Sequence, residues 1–296
     1  MNTMSLAMAA AMVFFSCELV AVPACPEPVE VTQSDGTKAI IHVRGDEFLH
    51  WNEDSAGYTV MRDPTTRDWV YAGLNTDGTE LVPTSMRVGS VRAESLSVPK
   101  RLMPAKKIEK AAAQKASWMD AAVSRTALRS AGTVRQLVLL VEFSDLRFTK
   151  TKQNFEDLFN KVGYSGEGNA GSLRDFYQEI SYGKLTVESV IVGPLRVSNT
   201  YAYYGANNDA NVPELGAHAL AKLNELYPNF DWSRFDLDGD GWFDELDIIH
   251  AGWGEEYGGN SADNIWSARW SGRSPYYFAM YGNLKFGSVH TEPELR

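Results

Sequence analysis

Asp-Gly and Ala-Gly pairs cut the first third of the chain into short apolar runs, a rhythm that suits β-hairpins. Val29-Glu30-Val31 runs into Ser34-Asp35-Gly36 and then residues 39–43. Ala56-Gly57 precedes Tyr58-Thr59-Val60-Met61, Trp69-Val70-Tyr71-Ala72 follows, and Asp77-Gly78 leads to Leu81-Val82. Asp-Gly between apolar runs favours turns whose twist matches antiparallel strands. Residues 29–92 should therefore form a small antiparallel β-domain of roughly 65 residues, marginal in size to stand alone.

The rhythm changes beyond residue 133. Residues 134–143 contain Leu-Val-Leu-Leu-Val, the run expected of a strand buried on both faces. Residues 154–160 and 172–180 have helical spacing, with Ser172 as a cap. Residues 184–192 alternate as a strand, residues 213–227 carry apolar contacts at helical spacing, and residues 246–251 read as another strand. Strands interleaved with helices predict an α/β domain over residues 133–296. The whole chain is thus expected to be α+β.

Between the two lies a segment of different composition. Residues 99–135 hold nine basic residues against Glu109 and Asp120, a balance of +7 within a chain whose net charge is −10. Alanines favour helix locally, but no strong apolar stripe anchors it. Residues 99–132 are expected to be an exposed basic linker and a target for proteases. The acidic remainder excludes a protein that coats nucleic acid, because such binding needs clustered Lys and Arg.

At the N-terminus, residues 6–15 are apolar and rich in Ala and Met, and apolar character resumes through Val22. Small residues at Ala21 and Ala24 flank the helix-breaking Pro23. This predicts a secretory signal over residues 1–24, although the only positive charge ahead of the apolar run is the terminal amine. The run is short for a membrane span and contains Glu18, so no stable span is expected after cleavage. The product should be secreted or extracellular. A lipid-anchored or periplasmic protein is the alternative, with Cys17 or Cys25 as the modified residue, though the residues before each fit a lipoprotein signal poorly. Those two cysteines are the only ones in the chain, which excludes a disulfide scaffold or a Cys-based zinc site in its body.

One run carries a specific chemical signal. From Asp236 to Asp247, carboxylates fall at positions 1, 3, 5, 9 and 12 of a loop, as Asp236, Asp238, Asp240, Asp244 and Asp247. Glycine falls at position 6, Gly241. This is the spacing of an EF-hand-like calcium loop. Alternate carboxylates converge on one ion, Gly241 permits the sharp bend, and the carbonyl of Trp242 is a further donor. Position 12 is Asp rather than Glu, with a shorter reach. A single such loop points to a structural calcium rather than a paired regulatory module.

An absent pattern matters equally. The histidines are His42, His50, His218, His250 and His290, and no two are four residues apart. The chain therefore contains no His-Glu-x-x-His zinc helix. It also has no Gly-x-Ser-x-Gly nucleophile elbow and no Walker-type phosphate loop. No catalytic residue is assigned.

Several stretches together resemble the immune-inhibitor-A-like secreted bacterial zinc metalloproteases. They are Gln33-Ser34-Asp35-Gly36-Thr37, Arg44-Gly45-Asp46-Glu47-Phe48-Leu49-His50-Trp51, Leu140-Val141-Glu142-Phe143-Ser144-Asp145 and Ser172-Leu173-Arg174-Asp175-Phe176-Tyr177. Ile180-Ser181-Tyr182-Gly183-Lys184-Leu185, Tyr203-Tyr204-Gly205, residues 235–254, Ile265-Trp266-Ser267 and His290-Thr291-Glu292-Pro293-Glu294-Leu295 complete the set. The likeness covers roughly residues 26–296. It implies a pro-domain at residues 25–98, followed over 133–296 by the N-terminal half of a zincin-like catalytic domain. It also implies protein or peptide substrates, and zinc only in a full-length relative, whose zinc helix would follow the region matching His290 to Leu295. By that resemblance the chain is expected to be an incomplete, inactive precursor of a secreted endopeptidase. The competing reading is a calcium-stabilised exported inhibitor or adhesion protein without catalytic activity.

Overall fold

The computed structural model describes residues 23–90, 97–124, 131–209, 211–243, 246–257, 263–271, 280–286 and 288–295. The expected signal, Cys17 and the loop residue Asp244 lie outside the described residues. Among those described, no helix is long and apolar enough to cross a membrane.

The first third is a six-stranded antiparallel meander: β1 (Val29–Thr32), β2 (Lys38–Gly45), β3 (His50–Asp54), β4 (Thr59–Arg62), β5 (Trp69–Leu74) and β6 (Leu81–Arg87), paired in sequence order. The three turns read from the sequence join β1 to β2, β3 to β4 and β5 to β6. Val31, Ile41, Val60, Trp69 and Tyr71 form its core. Gln33, buried just after β1, draws the sheet's ends together. Its Nε2 donates to the carbonyls of Trp69 (3.0 Å) and Val88 (3.1 Å), and its Oε1 accepts from Trp69 N (2.8 Å).

β3 was not visible in the sequence, since His-Trp-Asn-Glu-Asp is polar. A tight connection from β2 sets its start. Asp46 Oδ1 accepts from Phe48 N and Leu49 N, both at 3.0 Å. Gly45 has φ +99°, and a Cβ there would lie 1.9 Å from the Leu49 carbonyl oxygen, so only glycine fits. This turn places His50.

The basic segment contains a helix, α1 (Ala105–Ser124). Leu102 and Ala111 are buried, Arg101 N donates to the Gly57 carbonyl at 2.9 Å, and Thr59 Oγ1 donates to the Leu102 carbonyl at 2.9 Å. The segment expected to be a loose tether is thus fastened to the β3–β4 turn at its start.

The second sheet has the order β10-β13-β9-β7-β8, built from β7 (Gly132–Glu142), β8 (Leu185–Arg196), β9 (Leu246–Trp253), β10 (Ala268–Ser271) and β13 (Ser288–Leu295). β7 runs parallel to β8 and β9, β9 is parallel to β13, and β10 is antiparallel to β13. A two-stranded ladder, β11 (Met280–Tyr281) with β12 (Leu284–Lys285), stands apart. Alternate residues of β7 serve two cores, as its pleat dictates. Leu137, Leu139 and Val141 pack with helix α5 (Val212–Leu226), and Val138 and Leu140 pack with Phe155 of α2 (Lys152–Asn160). Helix α3 (Leu173–Ile180) starts at Ser172 through a capping box with Asp175.

Helix α4 (Tyr201–Asp209) and strand β13 also escaped sequence reading. The helix has no apolar stripe; its start is held by Asp145 Oδ1, which accepts from Tyr201 N at 2.8 Å. β13 contains Pro293 and is polar, yet lies between β9 and β10, with a register shift next to the proline.

Candidate metal sites

The acidic loop leads from α5 towards β9. Asp236, Asp238 and Asp240 bring carboxylate oxygens within 4.8 Å of one another. The backbone curls around them: Asp236 Oδ1 accepts from Gly239 N (2.8 Å) and Asp240 N (3.0 Å), and Asp236 Oδ2 accepts from Gly241 N (3.1 Å). Asp240 Oδ1 accepts from Trp242 N at 2.8 Å. Gly239 and Gly241 have φ +79° and +83°, the left-handed geometry that the sequence pattern requires of Gly241. Lys285 N donates to the Gly241 carbonyl at 2.8 Å, and the Lys285 ammonium lies over the Trp242 ring. Asp238 and Asp240 are exposed, so water solvates these charges. Asp247 is not drawn into the group. It sits on β9, with Oδ1 3.6 Å from His290 Nδ1.

A second group, which no sequence spacing announces, joins residues from three distant parts of the chain. His50, Asp209 and Glu255 bring one ligand atom each within 4.8 Å of one another. Their relative exposures are 9%, 2% and 6%. His50 starts β3 and stacks on Trp266, with ring centroids 4.4 Å apart and planes at 16°. Asp209 ends α4, with φ +57°, and its Oδ1 accepts from Trp266 N at 3.3 Å. Glu255 opens the 3-10 turn Glu255–Tyr257 after β9, where its N–H donates to the Ile265 carbonyl at 3.1 Å. Close packing holds these parts: a Cβ on Gly205 of α4 would lie 2.2 Å from the Asp263 carbonyl oxygen.

The electrostatics follow from burial. Removal from water, and to a smaller degree the positive charge of Lys107, pushes His50 down to about 4, so its imidazole is neutral near pH 7. Burial raises both carboxyls well above the usual range, and further repulsion comes from Glu256 at Asp209 and from Asp209 and Glu256 at Glu255. Glu256 is also raised by burial, although the Ser267 hydroxyl and Ser267 N (3.1 Å) donate to its carboxylate.

The other histidines are dispersed. His250 is fully buried on β9 beside the rings of Phe143 and Tyr201, and its Nδ1 lies 3.1 Å from the Ala251 carbonyl. Burial pushes it down to about 4. It therefore packs in the core rather than lining an open cleft. His218 Nδ1 is 2.9 Å from the Tyr204 hydroxyl, and His42 Nε2 is 3.5 Å from Ser55 Oγ. Zinc of the His-Glu-x-x-His kind does not fit these residues, since no histidine pair shares a helix face.

The sequence profile described as "Immune inhibitor A peptidase M6, catalytic domain" matches residues 126–283. Pre-pro-metalloprotease PrtV of Vibrio cholerae serotype O1 (strain ATCC 39315 / El Tor Inaba N16961) is 33% identical over 177 residues, which cover 47% of this chain and 19% of that protein. Immune inhibitor A of Bacillus thuringiensis subsp. alesti is 32% identical over 192 residues, covering 51% of this chain and 28% of that protein. The matched region thus spans less than a third of either relative. The family-matched residues 126–283 take in the acidic loop, Asp209 and Glu255, but not His50.

Proposed function

Because this chain belongs to the immune inhibitor A peptidase M6 family, we propose that it is part of a secreted, zinc-dependent endopeptidase acting on extracellular proteins. The observation that carries this reading is the family match over residues 126–283, supported by two relatives, one of them named as a metalloprotease. Residues 25–98 act as its pro-domain, and residues 133–296 belong to a zincin-like catalytic domain. In such enzymes zinc polarises the scissile carbonyl and activates water. The present residues supply neither the helix-borne histidine pair nor the glutamate between them, so no catalytic step is assigned to them. What they contribute is scaffold. Calcium in the acidic loop fixes the approach to β9 through Asp236, Asp238 and Asp240. The Trp242 carbonyl and Asp244 complete the donor set, and Asp247 joins when it leaves His290.

The reading makes a paired prediction. The source polypeptide carries His-Glu-x-x-His C-terminal to these residues, while purified residues 1–296 loaded with zinc leave casein intact. Chelator-sensitive casein cleavage by the 296-residue chain would refute the assignment. A source polypeptide lacking the motif would favour a calcium-stabilised binding protein.

A further inference from the structure

Among the described residues, nothing donates a hydrogen bond to the buried Glu255 Oε2. It lies 3.4 Å from His50 Nε2. The other ring nitrogen, His50 Nδ1, lies 3.3 Å from the Asp46 carbonyl oxygen. A carbonyl only accepts, so that contact puts the proton on Nδ1 and leaves a lone pair on Nε2. Two acceptors then face each other across 3.4 Å, with Asp209 alongside, and only a proton or a cation can stand between them.

The charge balance favours a cation. Asp209, Glu255 and Glu256 are all buried. The nearby ammonium is that of Lys107, half-buried on α1, and the Arg67 guanidinium is paired with Asp263 at 2.8 Å. The donor set selects the ion. Calcium takes six to eight oxygens, whereas one imidazole nitrogen and two carboxylates suit zinc with a fourth position open to water. Zinc–ligand bonds of about 2.0–2.1 Å at tetrahedral angles put neighbouring donors roughly 3.3 Å apart, close to the separation of His50 Nε2 and Glu255 Oε2.

We propose that His50, Asp209 and Glu255 bind one zinc-type divalent cation that clamps the N-terminal sheet onto the second domain. The clamp goes beyond the peptidase reading, because it uses none of the catalytic zinc helix and takes one ligand from outside the family-matched region. A residue of β3 supplies the nitrogen, so removing the N-terminal sheet removes the ligand and frees the ion.

The test is metal titration of the whole 296-residue chain, stripped with chelator, in a background carrying Asp238→Ala and Asp240→Ala to silence the acidic loop. Cobalt(II) should give the intense visible absorption of a four-coordinate ion, saturating at one per chain. One equivalent of zinc should bleach it, and calcium in about hundredfold excess should not. His50→Asn should weaken binding at least a hundredfold with an unchanged far-ultraviolet circular dichroism spectrum. Glu255→Gln, nearly identical in shape, should weaken it at least tenfold and serves if the histidine variant does not fold. A parent that binds cobalt without a four-coordinate spectrum, or a folded variant that binds as tightly as the parent, would overturn the clamp. Either outcome would leave a proton-bridged cluster and would not touch the peptidase reading, whose test is casein cleavage and the downstream motif.

Discussion

The acidic loop and the buried cluster are made of similar residues and solve opposite problems. Asp236, Asp238 and Asp240 are neighbours in sequence, and their carboxylates are solvated by water and by five backbone N–H contacts. Such a loop keeps its shape at modest cost without an ion. His50, Asp209 and Glu255 come from a β-strand, a helix end and a 3-10 turn, and are buried together. There each ionised carboxylate carries a desolvation penalty of several kcal/mol that only a close partner offsets. Local spacing therefore marks a solvated group, while three-dimensional assembly builds a buried one that needs a proton or a cation between its acceptors.

Four experiments break or sharpen that contrast. The largest effect is expected on withdrawing zinc from the buried cluster. An ion held at about a thousand times its dissociation constant stabilises by about 4 kcal/mol, so the melting temperature should fall by roughly 10 °C in a chain of this size. A drop no larger than that caused by withdrawing calcium would erase the distinction between the sites.

Next comes the buried imidazole of β9. His250 is held at about 4 against an ordinary 6.5. A depressed value means the folded state resists protonation. Its contribution is intact above pH 6.5 and is lost as pH falls through about 4, amounting to about 3 kcal/mol. His250→Phe should flatten that acid limb of the stability curve. An unchanged slope would locate acid sensitivity elsewhere.

Calcium should stabilise the parent by nearly 3 kcal/mol at about a hundred times its dissociation constant, and Asp238→Ala with Asp240→Ala should abolish the shift. Equal calcium shifts in parent and variant would remove the loop from the account.

Gly45→Ala tests the turn that sets His50. A positive φ on alanine alone costs about 1–3 kcal/mol, and the added methyl also forces the Leu49 carbonyl to move. Because the same turn sets His50, zinc affinity should fall too, although no ligand has changed. Destabilisation with full zinc affinity would show that the cluster positions itself independently of this turn.

What could be read from the sequence follows the same division between local and assembled. The three hairpin turns, the apolar run of β7 and the Ser172 cap are each written within a few residues, and each is present. The acidic loop is equally plain in the sequence: Asp236, Asp238 and Asp240 stand together, and Asp247 lies beside His290. Elements held by partners elsewhere left no signal. β13 contains Pro293 and gains its place from parallel pairing with β9, and α4 is held by Asp145 and by packing of Gly205. His50 sat within the Arg44–Trp51 stretch that carried the family resemblance, but nothing nearby names Asp209 and Glu255 as its companions. The histidine within that stretch is the hint the sequence offers.

The most direct measurement is native mass spectrometry of the intact chain equilibrated with calcium and zinc together. The account predicts one calcium and one zinc per chain. Asp238→Ala with Asp240→Ala should lose the calcium alone, and His50→Asn the zinc alone. A parent that carries no zinc, or a His50→Asn variant that retains it, would contradict the claim that the buried cluster is a metal site.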